Sequence, residues 1–236
     1  MDEVMLMKPS HLAIIPDGNR RWAKLHRKSL IEGYKAGIQR ASDAIAWCKD
    51  FNIRMLTMWG FSTENFNRDS REVRSLLALF ESKLREALRS DEFHRNKIRV
   101  RIIGRVDSFP EKIQSGFREL ERATREYREY NLNILLGYGG QREIVDACNA
   151  IIRDYNSGAI TSVDETVFPN YLYTHGLPDP DLIIRTSGEQ RLSGLMPWQS
   201  AYSELYFSEK LWPDFEKKDM ALALKEFETR KRRFGR

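Results

Sequence analysis

Six short apolar runs recur along the chain, at residues 11–16, 54–60, 98–104, 131–136, 181–185 and 203–207, and helix-period stretches lie between most of them. Runs of this length, bounded by turn residues and with no strict alternation, suit strands buried on both faces. Helical spacing is carried by Ile38, Ala41, Ile45 and Trp47 within 33–50, and by Val73, Leu76, Leu77, Phe80, Leu84 and Leu88 within 71–94. It recurs in Ile113, Phe117, Leu120 and Ala123 within 110–129, and in Ile144, Val145, Cys148, Ile151 and Ile152 within 141–156. A closing helix is expected over 217–233. Strand and helix in alternation predict an α/β fold, a parallel sheet with helices on both faces and right-handed crossovers. No repeat, low-complexity stretch or linker divides the 236 residues, so residues 1–236 read as one domain.

Composition removes several function classes. No apolar stretch approaches the roughly 18 residues of a membrane span, and the acidic N-terminal start, with its short apolar run, does not read as a secretory signal. Cys48 and Cys148 lie among helix-like residues and read as core or near-core thiols in a reducing, cytoplasmic setting. The four histidines, at 11, 26, 94 and 175, have no metal-ligand spacing. The net charge of +5 is mild, and no basic stripe with interleaved aromatics marks a nucleic-acid binder. The basic tail, residues 230–236, reads either as a solvated helix end or as an attraction for polyanionic substrate or anionic lipid.

Three strand ends carry the chemistry. The first, His11 to Ala23, closes an apolar run with Pro16-Asp17-Gly18-Asn19-Arg20-Arg21-Trp22. A carboxylate there suits Mg²⁺, and Arg21 suits phosphate oxygens, which a guanidinium grips as a planar fork. The same segment also reads as an Asx-type turn before a basic helix, with Asp17 as its N-cap. The second strand end, Asp181 to Ser193, places Arg185, Arg191 and Ser193 around Thr186-Ser187-Gly188, the small-residue and fixed-charge mixture of an anion cradle. The third, Met55 to Arg68, adds Phe61, Ser62 and Arg68. In open α/β sheets ligands bind at the carboxyl ends of strands, so the three ends are expected to share one pocket. The apolar stripe of 71–94 reads as core packing, or as the wall of a channel for an aliphatic ligand.

These segments resemble the signature motifs of the cis-prenyltransferases, the undecaprenyl diphosphate synthase family. Ala13 to Ala23 resembles the first motif, and Phe61-Ser62-Thr63-Glu64-Asn65 with Asn67-Arg68 the second. Arg101 to Gly104, Tyr138-Gly139-Gly140, Asp181 to Ser193, Trp198 to Phe207, Leu211 to Phe215 and the terminal Arg233-Phe234-Gly235 follow in family order. The resemblance implies six mainly parallel strands surrounded by helices, a hydrophobic tunnel and a homodimer. It implies an Mg²⁺-dependent reaction in which isopentenyl diphosphate condenses onto an allylic prenyl diphosphate, releasing diphosphate and forming a (Z)-polyprenyl diphosphate. A cytoplasmic enzyme drawn to membranes through its product, with no nucleic-acid partner, is the corresponding expectation.

Carried over residue by residue, Asp17 is the implied Mg²⁺-associated carboxylate, with Glu204 in support of the metal and of the subunit contact. Gly18, Asn19 and Arg21 surround the donor diphosphate, Asn19 also serving the departing hydrogen of the acceptor. Trp22 and Phe61 flank the isoprenoid, Ser62 lies near the reacting prenyl groups, and Arg68 is on the phosphate side with the acidic Glu72 nearby. Arg185, Arg191 and Ser193 take the acceptor diphosphate, and Arg233-Phe234-Gly235 reaches toward a partner subunit. The chain departs from the pattern at Leu30 and Tyr34, where the family usually places an Arg and a His near the donor diphosphate. That departure opens two alternatives: an irregular condensation with dimethylallyl diphosphate as acceptor, and a non-catalytic subunit of a heteromeric enzyme.

Overall fold

The computed structural model describes residues 8–230. All six expected strands form: β1 (His11–Ile15), β2 (Met55–Ser62), β3 (Ile98–Ile103), β4 (Tyr130–Tyr138), β5 (Leu182–Arg185) and β6 (Glu204–Phe207). They pair in the order β3-β4-β2-β1-β5-β6, every pair parallel. The helices among the described residues are α1 (Asn19–Leu25), α2 (Leu30–Asp50), α3 (Ser70–Arg89), α4 (Glu92–Arg95), α5 (Glu111–Thr124), α6 (Gly140–Asn156) and α7 (Lys217–Thr229). None of them is long and apolar enough to cross a membrane.

The β1 strand shows why uninterrupted apolar runs were required. All five of its residues are buried. Leu12 and Ile14 join a core with residues of the β2, β4 and β5 strands and of α2, α3, α5 and α7, whereas Ala13 and Ile15 join a second core with Leu135, Tyr138, Ile183, Leu195 and Met196. A strand with period-two geometry thus feeds both faces of the sheet. After β1 the chain passes through α1 and α2 to β2 on one side, and after β5 it passes to β6 on the other. The carboxyl ends of β1 and β5 therefore flank a topological switch point, where such sheets open a crevice.

Three expectations need correction. The stretch 71–94 is two helices, because α3 stops at Arg89 with Ser90 extended before the short α4. On α6 the buried positions are Gly140, Glu143 and Ala147, and Val145, Cys148 and Ile152 are exposed. These three share the opposite side of the helix, so Cys148 is a surface thiol, whereas Cys48 is buried and desolvation pushes its thiol up to about 12. The closing helix ends at Thr229, and Arg233-Phe234-Gly235 lies outside the described residues.

Candidate active site

Asp17 follows β1 at the switch point, and its backbone is pinned from two sides. Thr186 donates its hydroxyl to the Asp17 carbonyl at 2.7 Å, and the Trp212 N–H donates to the same oxygen at 2.9 Å. Gly18 then takes φ 109°, and a Cβ there would meet the Leu211 side chain at 2.9 Å, so only glycine lets the chain turn beneath the 211–212 segment. The turn delivers Asn19 to the first position of α1 and points the Asp17 carboxylate toward β5.

Arg185, the last residue of β5 and 4% exposed, donates Nη2 to Asp17 Oδ2 at 2.8 Å. Its Nη1 donates to Ser193 Oγ at 2.7 Å and to the Arg191 carbonyl. Arg21, one turn along α1, places Nη2 3.8 Å from Asp17 Oδ2, donates to Ser187 Oγ and lies 3.4 Å from Glu189. Glu189 in turn pairs with Arg191. Three guanidiniums and two carboxylates thus form one network around the 187–193 loop. Ser187 and Ser193 both hold left-handed backbone, at φ 82° and 51°, a conformation that non-glycine residues sustain where the surroundings enforce it. The Nε of Arg185 and the Oδ1 of Asn19 are buried without a hydrogen-bond partner, the latter packed against Gly37 of α2.

A second polar group stands across the opening. Tyr34 on α2 donates its hydroxyl to Glu72 Oε1 at 2.8 Å and accepts from Arg68 Nη1 at 2.7 Å. Arg68 also pairs with Glu72 at 3.0 Å, and Arg20 lies 3.9 Å from the same carboxylate. Burial, reinforced by the bond to Glu72, pushes the Tyr34 phenol up to about 12, so it stays a donor at neutral pH.

Between these groups a cavity of about 1000 Å³ opens into the protein. Asp17, Gly18, Asn19, Arg20, Arg21, Arg68, Arg185 and Ser193 line its polar part. Beyond them the lining is Ile38, Ala41 and Ile45 of α2, Leu76, Phe80, Leu84 and Ala87 of α3, and Phe61, Leu132, Ile134 and Leu136 of the sheet. The apolar stripe of α3 therefore packs in the core through Leu76 and Leu84 and also lines the cavity. Phe61 is 2% exposed and meets Phe66, Phe80 and Phe109 edge-on. Ser62 also lines the cavity.

Three expected site residues lie outside the cavity wall. The Trp22 indole donates to Asp214 at 2.7 Å, stacks on His26 and does not line the cavity. Glu204 pairs with Arg230 at 2.8 Å and sits opposite Leu182, three residues before Arg185. It therefore lies near the amino edge of the sheet, about 10 Å along the strands from the Arg185 level. Arg191 sits on the rim, bound to Glu189, rather than in the cavity wall. Glu189 is the network member that the motifs did not single out, whereas Ser187 was read only as part of the small-residue cradle and Tyr34 only as a departure. Glu189 had one available signal, its place two residues before Arg191.

A divalent cation fits this donor set in one way. Among the described residues no group of three or more His, Cys, Asp or Glu could hold a metal. Asp17 instead offers one carboxylate whose Oδ2 faces both guanidiniums, leaving Oδ1 for a cation. Mg²⁺ is commonly held by one or two carboxylates together with substrate phosphates and water, and a mouth rich in guanidiniums would gather such phosphates.

The structure thus joins a guanidinium-rich mouth at the switch point of a parallel sheet to a largely apolar cavity. Comparisons with known proteins define the class further. Residues 15–235 match the family model described as "Putative undecaprenyl diphosphate synthase". The chain belongs to this family and is a prenyltransferase. It is 46% identical over 230 residues to the tritrans,polycis-undecaprenyl-diphosphate synthase (geranylgeranyl-diphosphate specific) of Thermococcus kodakarensis, covering 97% of this chain and 87% of that one. It is 46% identical over 237 residues to the isoprenyl transferase of Thermus thermophilus, covering 97% and 89%. Among solved structures it is similar to lavandulyl diphosphate synthase from Lavandula x intermedia in complex with dimethylallyl diphosphate, with a TM-score of 0.93, 34% identity, and 97% and 99% of the two chains covered.

Proposed function

We propose that the chain condenses isopentenyl diphosphate onto an allylic prenyl diphosphate, releasing diphosphate and lengthening the chain by five carbons with a cis double bond. The observation that carries this reading is the continuity of the Asp17–Arg21–Arg185 mouth with the apolar cavity of about 1000 Å³. As the allylic C–O bond breaks, its electron pair leaves with the diphosphate. The double bond of the acceptor supplies the electrons of the new C–C bond, and a proton leaves the acceptor.

Each role falls to a residue already placed. Arg21, with Gly18 and Asn19 next to it in the chain and Arg68 from the other polar group, holds the donor diphosphate and stabilises the charge that grows as it leaves. Arg185, Ser193 and Arg191 hold the acceptor diphosphate. Mg²⁺ at Asp17 would supply further neutralisation of phosphate charge. Asn19, which lines the mouth, would orient the acceptor where its proton departs. Phe61, Ser62 and the α3 stripe keep the reacting carbons from water, and each buried methylene of the growing tail contributes about 0.8 kcal/mol to its retention. The hydrophobic tunnel of this reading is the cavity itself.

Mass spectrometry of products from defined allylic diphosphates tests the reading, with isopentenyl or dimethylallyl diphosphate as acceptor and with Mg²⁺ or chelator. Products spaced by five carbons from isopentenyl diphosphate alone are expected. Incorporation of dimethylallyl diphosphate alone would establish the irregular condensation instead, and no turnover without a second protein would return the chain to a subunit role. We further propose that two copies pair in the cytoplasm and that products draw the enzyme to membranes. Exposed Val145, Ile152 and Tyr155 on α6 offer an apolar surface for the pairing, which light scattering on the purified protein tests.

A further inference from the structure

The Tyr34 hydroxyl is the junction of a contact that gathers four segments. It donates to Glu72 on α3 and accepts from Arg68, which precedes α3, and Arg20 of α1 approaches the same carboxylate. Glu72 is nearly buried, with 9% of its side chain exposed, so its charge must be met within the protein. Arg68 meets it through Nη1 alone, the same nitrogen that donates to Tyr34. A guanidinium has five donors in a rigid fork. Fixing Nη1 leaves the Nε–Nη2 edge, the pair that grips a diphosphate bidentately, for an anion at the mouth that Arg68 lines. Without the phenol, Arg68 would keep its ion pair with Glu72 but lose the second constraint on its plane.

We propose that Tyr34 is a positioning residue for the allylic substrate, orienting Arg68 so that its free edge receives the donor diphosphate. The inference rests on the proposed condensation for the identity of that anion. It gives the departure at position 34 a role, since an aromatic hydroxyl both accepts from Arg68 and donates to Glu72 through one atom.

Calorimetric binding of a non-cleavable S-thiolo analogue of geranylgeranyl diphosphate tests this, with isopentenyl diphosphate binding as the comparison. Tyr34→Phe removes one oxygen and is expected to weaken analogue binding roughly tenfold, the loss of one hydrogen bond to a charged group, with isopentenyl diphosphate binding within about twofold of the parent. Arg68→Ala is expected to cost at least as much. If Tyr34 acts through Arg68, the Tyr34→Phe/Arg68→Ala double variant binds no more weakly than Arg68→Ala alone. Glu72→Gln probes the same junction from the other side and is expected to weaken the analogue selectively. Unchanged analogue binding in both Tyr34→Phe and Glu72→Gln, equal losses for both ligands, or additive losses in the double variant would each overturn the proposal. Turnover of the parent with isopentenyl diphosphate is measured in parallel. Its absence, with the binding pattern intact, would fell the condensation reading and leave the role of Tyr34 standing.

Discussion

At the scale of single residues, the site divides by how side chains are reached. Asp17, Arg21, Arg185 and Ser193 sit in contiguous motifs, and the structure brings all four together. Under the proposed condensation, removing the carboxylate takes away the proposed place of Mg²⁺ and loosens Arg185, whose Nη2 loses its partner. Asp17→Ala is therefore expected to lower kcat/KM by roughly a thousandfold, equivalent to about 4 kcal/mol of transition-state stabilisation. Initial rates of diphosphate release measure this, and near-parent rates would show that the metal sits elsewhere. Arg191 is exposed and pairs only with Glu189 among the ion pairs described, so its replacement should leave stability within about 1 kcal/mol. Arg191→Ala is expected to raise the KM for isopentenyl diphosphate about tenfold with kcat little altered, and a change confined to the allylic substrate would reassign it. Tyr34 was legible in the sequence only as a departure, because its partners are 34 and 38 residues away. Trip-ups came from adjacency in the chain. Trp22 is next to Arg21 yet turns to Asp214 on the outer side of α1, and Glu204 belongs to a matching motif yet starts β6 at the far edge of the sheet.

At the scale of elements, the sequence disclosed strands better than helix ends. All six apolar runs are strands within about two residues at each end: β1 and β5 are buried along their whole length, and β3, where Arg99 and Arg101 alternate with Ile98 and Val100, still shows the period of a strand. Of the short α1 the sequence disclosed only a basic helix start, since its seven residues bury only Ala23 and carry no apolar period, and its N-cap is Gly18 with no side-chain cap, where Asp17 was expected. Its position is set by packing on α2, where Gly37 admits Asn19 so closely that an added Cβ would lie 2.1 Å from Asn19 Oδ1 and 3.2 Å from the Trp212 ring. Neither neighbour can yield cheaply, as Asn19 is tied to the Pro16 carbonyl and the Trp212 indole donates to the Gly37 carbonyl. Gly37→Ala is expected to cost about 1–3 kcal/mol of stability by overpacking and to lower kcat by displacing Asn19. Denaturant melts and initial rates check the two effects separately. A variant as stable and as fast as the parent would mean that α1 shifts freely on α2.

At the scale of the whole molecule, the sheet that aligns the three strand ends also carries a titratable group at its centre. His11 opens β1, 1% exposed, with Nδ1 2.8 Å from the Pro178 carbonyl and Nε2 2.7 Å from Thr57 Oγ1. A carbonyl can only accept, so Nδ1 carries the proton and the neutral ring accepts from Thr57, whose oxygen accepts in turn from Asn133 at 3.0 Å. Burial holds the ring below its ordinary value of 6.5. The unfolded chain therefore binds this proton first, and the stability that neutral His11 supports is present above about pH 6.5 and lost as pH falls through the lowered folded value. Buried Glu143 runs the other way. Desolvation raises its carboxyl above 4.5, so its contribution is present below that value and declines as pH rises through the raised one. Where the two windows overlap, above 4.5 and below 6.5, the slopes oppose each other, and one substitution separates them. His11→Gln removes only the His11 slope. Its unfolding midpoint should lie below the parent's at pH 7.5, where a matched hydrogen-bonded core is lost, and the gap should narrow toward pH 5.5 as the parent alone loses the His11 contribution. Thermal melts of both proteins across that range decide it: a gap independent of pH would mean that protonation of His11 does not limit how far this sheet withstands acid.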